Sequence, residues 1–160
     1  MIAKIAALLI LLAPFAGCAT KAPENPEWTE IQEGCKKGQL YWVTSSAASP
    51  NAALLASREK LARWTYDTIK SILDSLSSSS RLPISLRGED SRERLAQQIV
   101  EASVRQAAID RTWTGSTSWV QMSLALPDIQ KQAALQIGLL GFKADDLIVA
   151  INTALEARFS

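Results

Sequence analysis

The segment from Pro50 to Leu76 constrains the fold more than any other. Ser49-Pro50 reads as an N-cap followed by proline at the first helical position. Leu54, Leu61, Thr65, Ile69, Ile72 and Leu76 then recur at threes, fours and one seven, an apolar face widened by Trp64 and Leu73. Arg58, Lys60, Arg63, Asp67 and Lys70 are mostly the solvated remainder. A helix with one apolar face must lay it on another element. The flanking segments supply strands: Gln39 to Ser46 carries Tyr, Trp, Val and Thr and reads as a first strand. After a loop at Ser77–Ser80, a second helix is predicted from about Asp90, with Glu93 completing a capping box. Its buried rows are Leu95, Ile99, Ala102 and Ala96, Val100, Val104, Ala107. The period then switches to two. Ile109 to Trp113 is one strand, Val120, Met122, Leu124 and Leu126 alternate along another, and Gly115-Ser116 suits a two-residue type II′ turn between them.

Pro127-Asp128 opens a third helix, with Ile129, Ala133, Ile137 and Leu140 on one face and Gly141 as its stop. Leu147, Ile151, Ala154 and Leu155 mark a last helix from about Ala144 to Arg158. The expected class is α+β: a small antiparallel three-stranded sheet covered by helices (strand-helix-helix-hairpin), with two extra C-terminal helices. The first part can bury a core unaided, so the extra helices have two destinations, their own domain or a neighbouring subunit. No self-similar period of 20–50 residues indicates a repeat protein.

Composition limits the chemistry. The 160 residues hold 17 Lys+Arg against 16 Asp+Glu, a net charge of +1, and no histidine. That balance argues against a nucleic-acid partner held by a dense basic surface. Without histidine there is no Ser-His-Asp or Cys-His pair and no His-built zinc site. At 48% hydrophobic and 21% charged, the chain is neither a coiled-coil rod nor a disordered tail. One domain is the natural size class.

The first residues have the order of an export signal. Lys4 precedes an uncharged run from Ile5 to Gly17, which is 13 residues, well short of the roughly 20 that span a bilayer. The run ends in Phe15-Ala16-Gly17-Cys18, which resembles a bacterial lipobox, with Phe15 in place of the commoner Leu. The resemblance implies diacylglyceryl transfer to the Cys18 sulfur, cleavage after Gly17 and acylation of the new amino terminus. Two or three acyl chains, at about 0.8 kcal/mol per buried CH₂, hold a protein stably where one does not. Ala19 rather than Asp after the cysteine implies, by the same likeness, sorting to the outer membrane. Residues 1–17 are thus expected to be a lipoprotein signal peptide and 18–27 a lipidated tether, with two prolines in Ala19 to Glu27. Loss of Lys4 leaves 16 basic and 16 acidic side chains. Acylation of Cys18 leaves Cys35 alone, beside Lys36 and Lys37, whose charges are expected to lower its pKa if it is exposed. Cys35 reads either as a tolerated thiol near a flexible segment or as a disulfide link between two copies.

Four stretches together resemble the LPP-twenty lipoprotein family of bacterial outer-membrane proteins. They are Pro26-Glu27-Trp28, Gly38-Gln39-Leu40-Tyr41-Trp42-Val43, Ala56-Ser57-Arg58-Glu59-Lys60-Leu61-Ala62-Arg63, and Asp110-Arg111-Thr112-Trp113 leading into Trp119-Val120-Gln121-Met122-Ser123-Leu124. The likeness runs from Pro26 to Leu126, so residues 28–126 are read as an LPP-twenty-like α+β domain and 127–160 as a C-terminal helical extension. Where the family often has an acidic-Gly turn after the first hairpin strand, this chain has Thr114-Gly115-Ser116. The family includes surface antigens and a flagellar basal-disk protein. It implies a small tethered domain that self-associates, and it brings no catalytic residues.

The residue patterns that resemble chemistry have plainer readings. Glu89-Asp90 and Asp145-Asp146 fall at predicted helix N-termini, where the dipole favours acids. Ser57-Arg58-Glu59-Lys60 matches Ser-x-x-Lys without the partner motifs that would make it a hydrolase element. Gly138 to Gly141 lacks the Lys and the preceding strand of a phosphate loop. Among the five tryptophans, Trp42, Trp113 and Trp119 fall on strands, Trp64 on the long helix and Trp28 near the tether. Trp119 shares a face with Gln121, Ser123 and Ala125, away from the Val120–Leu126 row, and is the candidate for an exposed contact.

The expectation is a non-enzymatic outer-membrane lipoprotein, anchored through Cys18, with no catalytic residues, cofactor or metal. Its partners would be the membrane through the lipid and either further copies (a homo-oligomer) or envelope proteins, with no nucleic acid. Two alternatives stand beside it. One is a binding module for a glycan or an amphiphile held between helices and sheet; the other is a flagellum-associated assembly component.

Overall fold

The computed structural model describes residues 25–36, 39–141 and 145–159. The signal segment, Cys18, most of the tether, Lys37, Gly38 and Ala144 lie outside the described residues. The chain order is β1 (Glu33–Lys36), β2 (Leu40–Ala47), α1 (Pro50–Ser78), α2 (Glu89–Val104), β3 (Ala108–Thr114), β4 (Ser118–Ala125), α3 (Leu126–Leu139) and α4 (Asp145–Arg158). The strands form one antiparallel sheet in the order β1-β2-β4-β3.

Alternation decides which face of the sheet is covered. Tyr41, Val43 and Ser45 of β2 are buried on the same side as Val120, Met122 and Leu124 of β4, in the register Ser45↔Val120 and Val43↔Met122. α1 lies across these two strands. Its buried face is small where it meets the sheet first, at Ala53 and Ser57, and larger beyond, at Leu61, Ile69, Ile72 and Leu73. Ser57 Oγ donates to the Val120 carbonyl at 2.8 Å, and Thr65 Oγ1 donates back to the Leu61 carbonyl at 2.8 Å. Both hydroxyls are therefore satisfied inside the core. α2 packs on α1 and α3, and α4 packs on the same two helices. Ile129, Ala133, Ile137, Leu147, Ile151, Leu155 and Phe159 thereby join a single core with the sheet. The two C-terminal helices are packed on their own chain.

The α+β class holds, and four details differ from expectation. The sheet has four strands, because Glu33-Gly34-Cys35-Lys36 pairs with β2 from Glu33↔Val43 to Lys36↔Leu40. Backbone groups at the β2 edge recruit this segment, which has no apolar alternation of its own. The capping box at Asp90 is not formed. Gly88 is the N-cap, and Glu89 and Asp90 both lie in the first turn, where only the dipole interaction applies. The hairpin loop has three residues, since Thr114↔Ser118 is the last pair and the Gly115 N–H donates to the Thr117 carbonyl at 3.2 Å. Gly115 does not take the positive φ that a type II′ turn demands. It is glycine for a different reason: a Cβ there would overlap the Trp113 ring.

The fourth difference is the serine run. α1 continues through Ser78, and the chain turns at Ser80, whose φ is 58°. The Ser80 N–H donates to the Ser77 carbonyl and the Arg81 N–H to the Leu76 carbonyl, at 3.0 and 2.9 Å. This is a Schellman end with serine at the left-handed position that glycine normally fills. α3 ends as predicted on Gly141, at φ 76°. Replacing Ser80→Gly should therefore stabilise the fold by about 0.5–1 kcal/mol, and Gly141→Ala should cost about 1 kcal/mol. Urea unfolding with unchanged m-values checks both signs. A destabilised Ser80→Gly variant would contradict the assignment.

Candidate functional site

The outward face of the sheet carries three tryptophans and a row of short polar side chains. Trp42 lies over Gly34, where an added Cβ would sit 2.5 Å from the ring, and Trp113 lies over Gly115 in the same way. Each glycine thus serves as a floor for an indole. Trp119 is opposite Ser46 on one side and Trp113 on the other. It is half-buried, and its Nε1 is enclosed without a hydrogen-bond partner among the described residues. Gln121 Nε2 donates to Thr44 Oγ1 at 3.2 Å, and Ser123 Oγ donates to Asp110 Oδ1 at 3.0 Å. The second bond exists because the pairing of β3 with β4 shifts between Ile109 and Arg111, leaving Asp110 as the extra residue of a bulge.

Trp64 faces the opposite way and closes the core at the β1 edge. It stacks on Tyr41 with centroids 3.7 Å apart and planes 8° from parallel, and meets Phe159 edge-on at 5.4 Å. The Tyr41 hydroxyl donates to Glu33 Oε2 at 2.9 Å. Burial first, and then the Glu33 carboxylate, push the Tyr41 hydroxyl well above the ordinary phenol range. This knot ties β1 to α1 and to the end of α4. Cys35 belongs to it, with Sγ 3.9 Å from the Phe159 carbonyl. The residue is exposed as a whole, yet partial burial of the thiol raises its pKa instead of lowering it. The expected depression by Lys36 is not found, Lys37 lies outside the described residues, and the segment is a paired strand.

The remaining motif residues are spent on structure. Ser57 is taken by Val120, and Lys60 Nζ donates to the Thr44 carbonyl at 3.2 Å, so the Ser-x-x-Lys pattern docks a helix onto a sheet. Glu89 and Asp90 open α2, and Asp145 and Asp146 open α4. One charge cluster escaped the sequence reading although Lys70 and Asp74 have i,i+4 spacing. Asp74 accepts from Lys70 Nζ and Arg92 Nε, both at 2.7 Å, and Arg92 also reaches Ser77 Oγ. The hydrogen bonds from Lys70 and Arg92 hold the Asp74 carboxyl below its ordinary pKa. The cluster fastens the C-terminal end of α1 to the start of α2. Among the described residues no three or more His, Cys, Asp or Glu side chains gather as metal ligands, and no helix is long and apolar enough to cross a membrane.

Open space lies between helices. The layer between helices and sheet holds Val43, Leu61, Met122 and Leu124, all at most 1% exposed. A groove of about 590 Å³ instead runs between α1 and α2, floored by Leu55, Ala62, Tyr66, Val100 and Val104. A second cleft, of about 720 Å³, lies between the end of α1 and α4, along Leu76, Val149 and Ala150. Leu55, Ala62 and Tyr66 form a second apolar stripe on α1, at intervals of seven and four, beside the stripe that faces the core. That spacing was the available signal for the groove. No protein-family model, curated protein or solved structure matches the chain.

The Cys35 thiol gives a direct check on the β1 knot. A raised pKa means less thiolate at any given pH, so alkylation of Cys35 in the folded protein should reach half its limiting rate above pH 9.0, the ordinary thiol value. In denaturant the midpoint should return to that value. A folded-state midpoint below it would mean that the neighbouring lysines dominate.

Proposed function

We propose that this chain is an outer-membrane lipoprotein, lipid-anchored at Cys18, that acts without catalysis through self-association or contact with envelope partners. The observation that carries the reading is Cys18, the fourth residue of Phe15-Ala16-Gly17-Cys18, at the point where a 13-residue uncharged run ends. The LPP-twenty resemblance between Pro26 and Leu126 supports it. So does the way the polar side chains that resembled chemistry are engaged in holding elements together, with Ser57, Lys60 and Asp74 each bonded across element boundaries.

A glycan-binding role is favoured by one observation, the pair of half-buried indoles laid over Gly34 and Gly115 beside Thr44, Gln121 and Ser123. Aromatic platforms flanked by hydrogen-bonding groups suit sugar rings.

Cys18→Ser removes the acyl acceptor. The variant should leave the outer-membrane band of a density gradient and retain its uncut signal, whereas an unchanged outer-membrane distribution would sink the anchored reading. In the same gradient the wild-type protein should run in the outer-membrane band.

A further inference from the structure

We infer that the end of the sheet where β2 finishes is a seat on the lipid bilayer, with Trp28, Ile31 and Trp113 entering the headgroup interface. The inference rests on the anchored reading above and says which part of the domain the anchor brings to the membrane. The chain enters the sheet at Gln32, whose carbonyl accepts from the Thr44 N–H, and β1 runs from there toward Leu40. The tether therefore arrives beside the last residues of β2, Ser46 and Ala47. Trp119 is opposite Ser46 and Trp113 is opposite Trp119, so two indoles stand at the same end. Trp113 lies over Gly115, in the hairpin loop that closes this end. Trp28 is held in a turn at Glu27–Thr29, where buried Thr29 donates its N–H and its hydroxyl to the Pro26 carbonyl, at 2.9 and 2.7 Å. The half-buried Trp28 ring is thus fixed to the domain, and Ile31, 58% exposed, follows it.

Tether length selects the occupant. Seven residues, Ala19 to Asn25, separate Cys18 from Pro26. Fully extended, that stretch reaches roughly 28 Å at most. α1 starts at this end of the sheet and runs away from it for 29 residues, about 44 Å. Ile84 and Leu139 are more exposed than Ile31, but they lie past the far end of α1, where Leu86 and Leu140 line one pocket. An acyl group on Cys18 therefore keeps the Trp28–Trp113 end closest to the bilayer. Contact at that end is intramolecular, so a weak preference is enough to hold it. Indoles favour the headgroup level, where an apolar ring and a polar N–H are both accommodated. The neighbours Ser46, Thr114 and Ser116 are exposed and uncharged, and so bring no ion against the interface. Charge narrows the lipid class. Between Cys18 and Gln32 the chain has Lys21 against Glu24, Glu27 and Glu30, so zwitterionic headgroups fit this end and an anionic surface is disfavoured.

The test is tryptophan fluorescence of the full acylated chain in phosphatidylcholine vesicles, with and without bromine on the acyl chains close to the headgroup. Bromine quenches the indoles that touch it, so wild type should lose part of its emission in the brominated vesicles. Combining Trp28→Phe with Trp113→Phe should remove most of that loss. Trp64→Phe, which alters a ring stacked on Tyr41 in the core, should leave the loss unchanged. Ile31→Glu keeps every indole, changes an exposed side chain and should also reduce the loss. Replacing part of the phosphatidylcholine with phosphatidylglycerol should not strengthen it. A protein that floats with the vesicles but whose emission bromine leaves unchanged overturns the seat and leaves the anchor standing. Quenching that survives the double variant and disappears in Trp42→Phe puts the flat sheet face on lipid and overturns the seat. Quenching that requires phosphatidylglycerol overturns it as well. A chain that carries no acyl group and does not float overturns the anchored reading, and the seat with it.

Discussion

Where α1 crosses β4, the Ser57 hydroxyl is fully buried and donates to the Val120 carbonyl. With Ala53 one turn earlier, it gives α1 a small-residue stretch on which helix and strand backbones approach closely. An antiparallel sheet with one apolar face is not stable in water until that face is covered, and α1 is the element that spans both β2 and β4. α2 and α4 reach the core through it, while α3 packs on β4, α2 and α4. α2 is held by the Asp74–Arg92 contact and the apolar row of Leu95, Ile99 and Ala96; α4 is held by Leu147, Ile151 and Leu155; both lean on α3 as well as α1. Loss of the α1–sheet contact would therefore expose the sheet and detach the helical layer together.

The same arrangement decides what remains for function. Polar groups that could have formed a reactive cluster are distributed among joints: Ser57 and Lys60 at the helix–sheet contact, Asp74 and Arg92 at the α1–α2 turn, Glu33 and Tyr41 at the β1 edge. What the fold presents to its surroundings is surface: a tryptophan-bearing sheet face and an apolar inter-helix groove rimmed by balanced charges. Both suit contact with other molecules, and an acylated amino terminus would concentrate copies on a membrane, where weak self-contacts are amplified by effective concentration.

Much of this architecture is written in local pattern. The α1 face, the alternation along β4, the Ser49-Pro50 start and the Gly141 stop each follow from periodicity or backbone chemistry that one short segment contains. The features that escaped are those fixed by another segment. β1 has no pattern of its own and exists because β2 offers an unpaired edge. The glycine in the hairpin is required by the position of the Trp113 ring, so turn rules assigned it the wrong role. Ser80 accepts a left-handed backbone that serine disfavours because the Ser80 and Arg81 N–H groups there cap the Ser77 and Leu76 carbonyls. The stripe of Leu55, Ala62 and Tyr66 on α1 went unread because it becomes a groove only where α2 lies alongside. For the candidate site, spacing set Trp119 on the sheet face away from the core, but its half-buried state depends on the cross-strand Trp113. Cys18 lies outside the described residues and is legible only as sequence.

Attachment is the premise on which assembly at a membrane depends. The measurement that tests it most directly is the intact mass of the mature protein extracted from outer membranes. The account predicts a chain beginning at Cys18, lacking residues 1–17 and heavier than its amino acids by a diacylglyceryl group and one further acyl chain. A mature chain that begins elsewhere, or that carries Cys18 as an unmodified thiol, would contradict it.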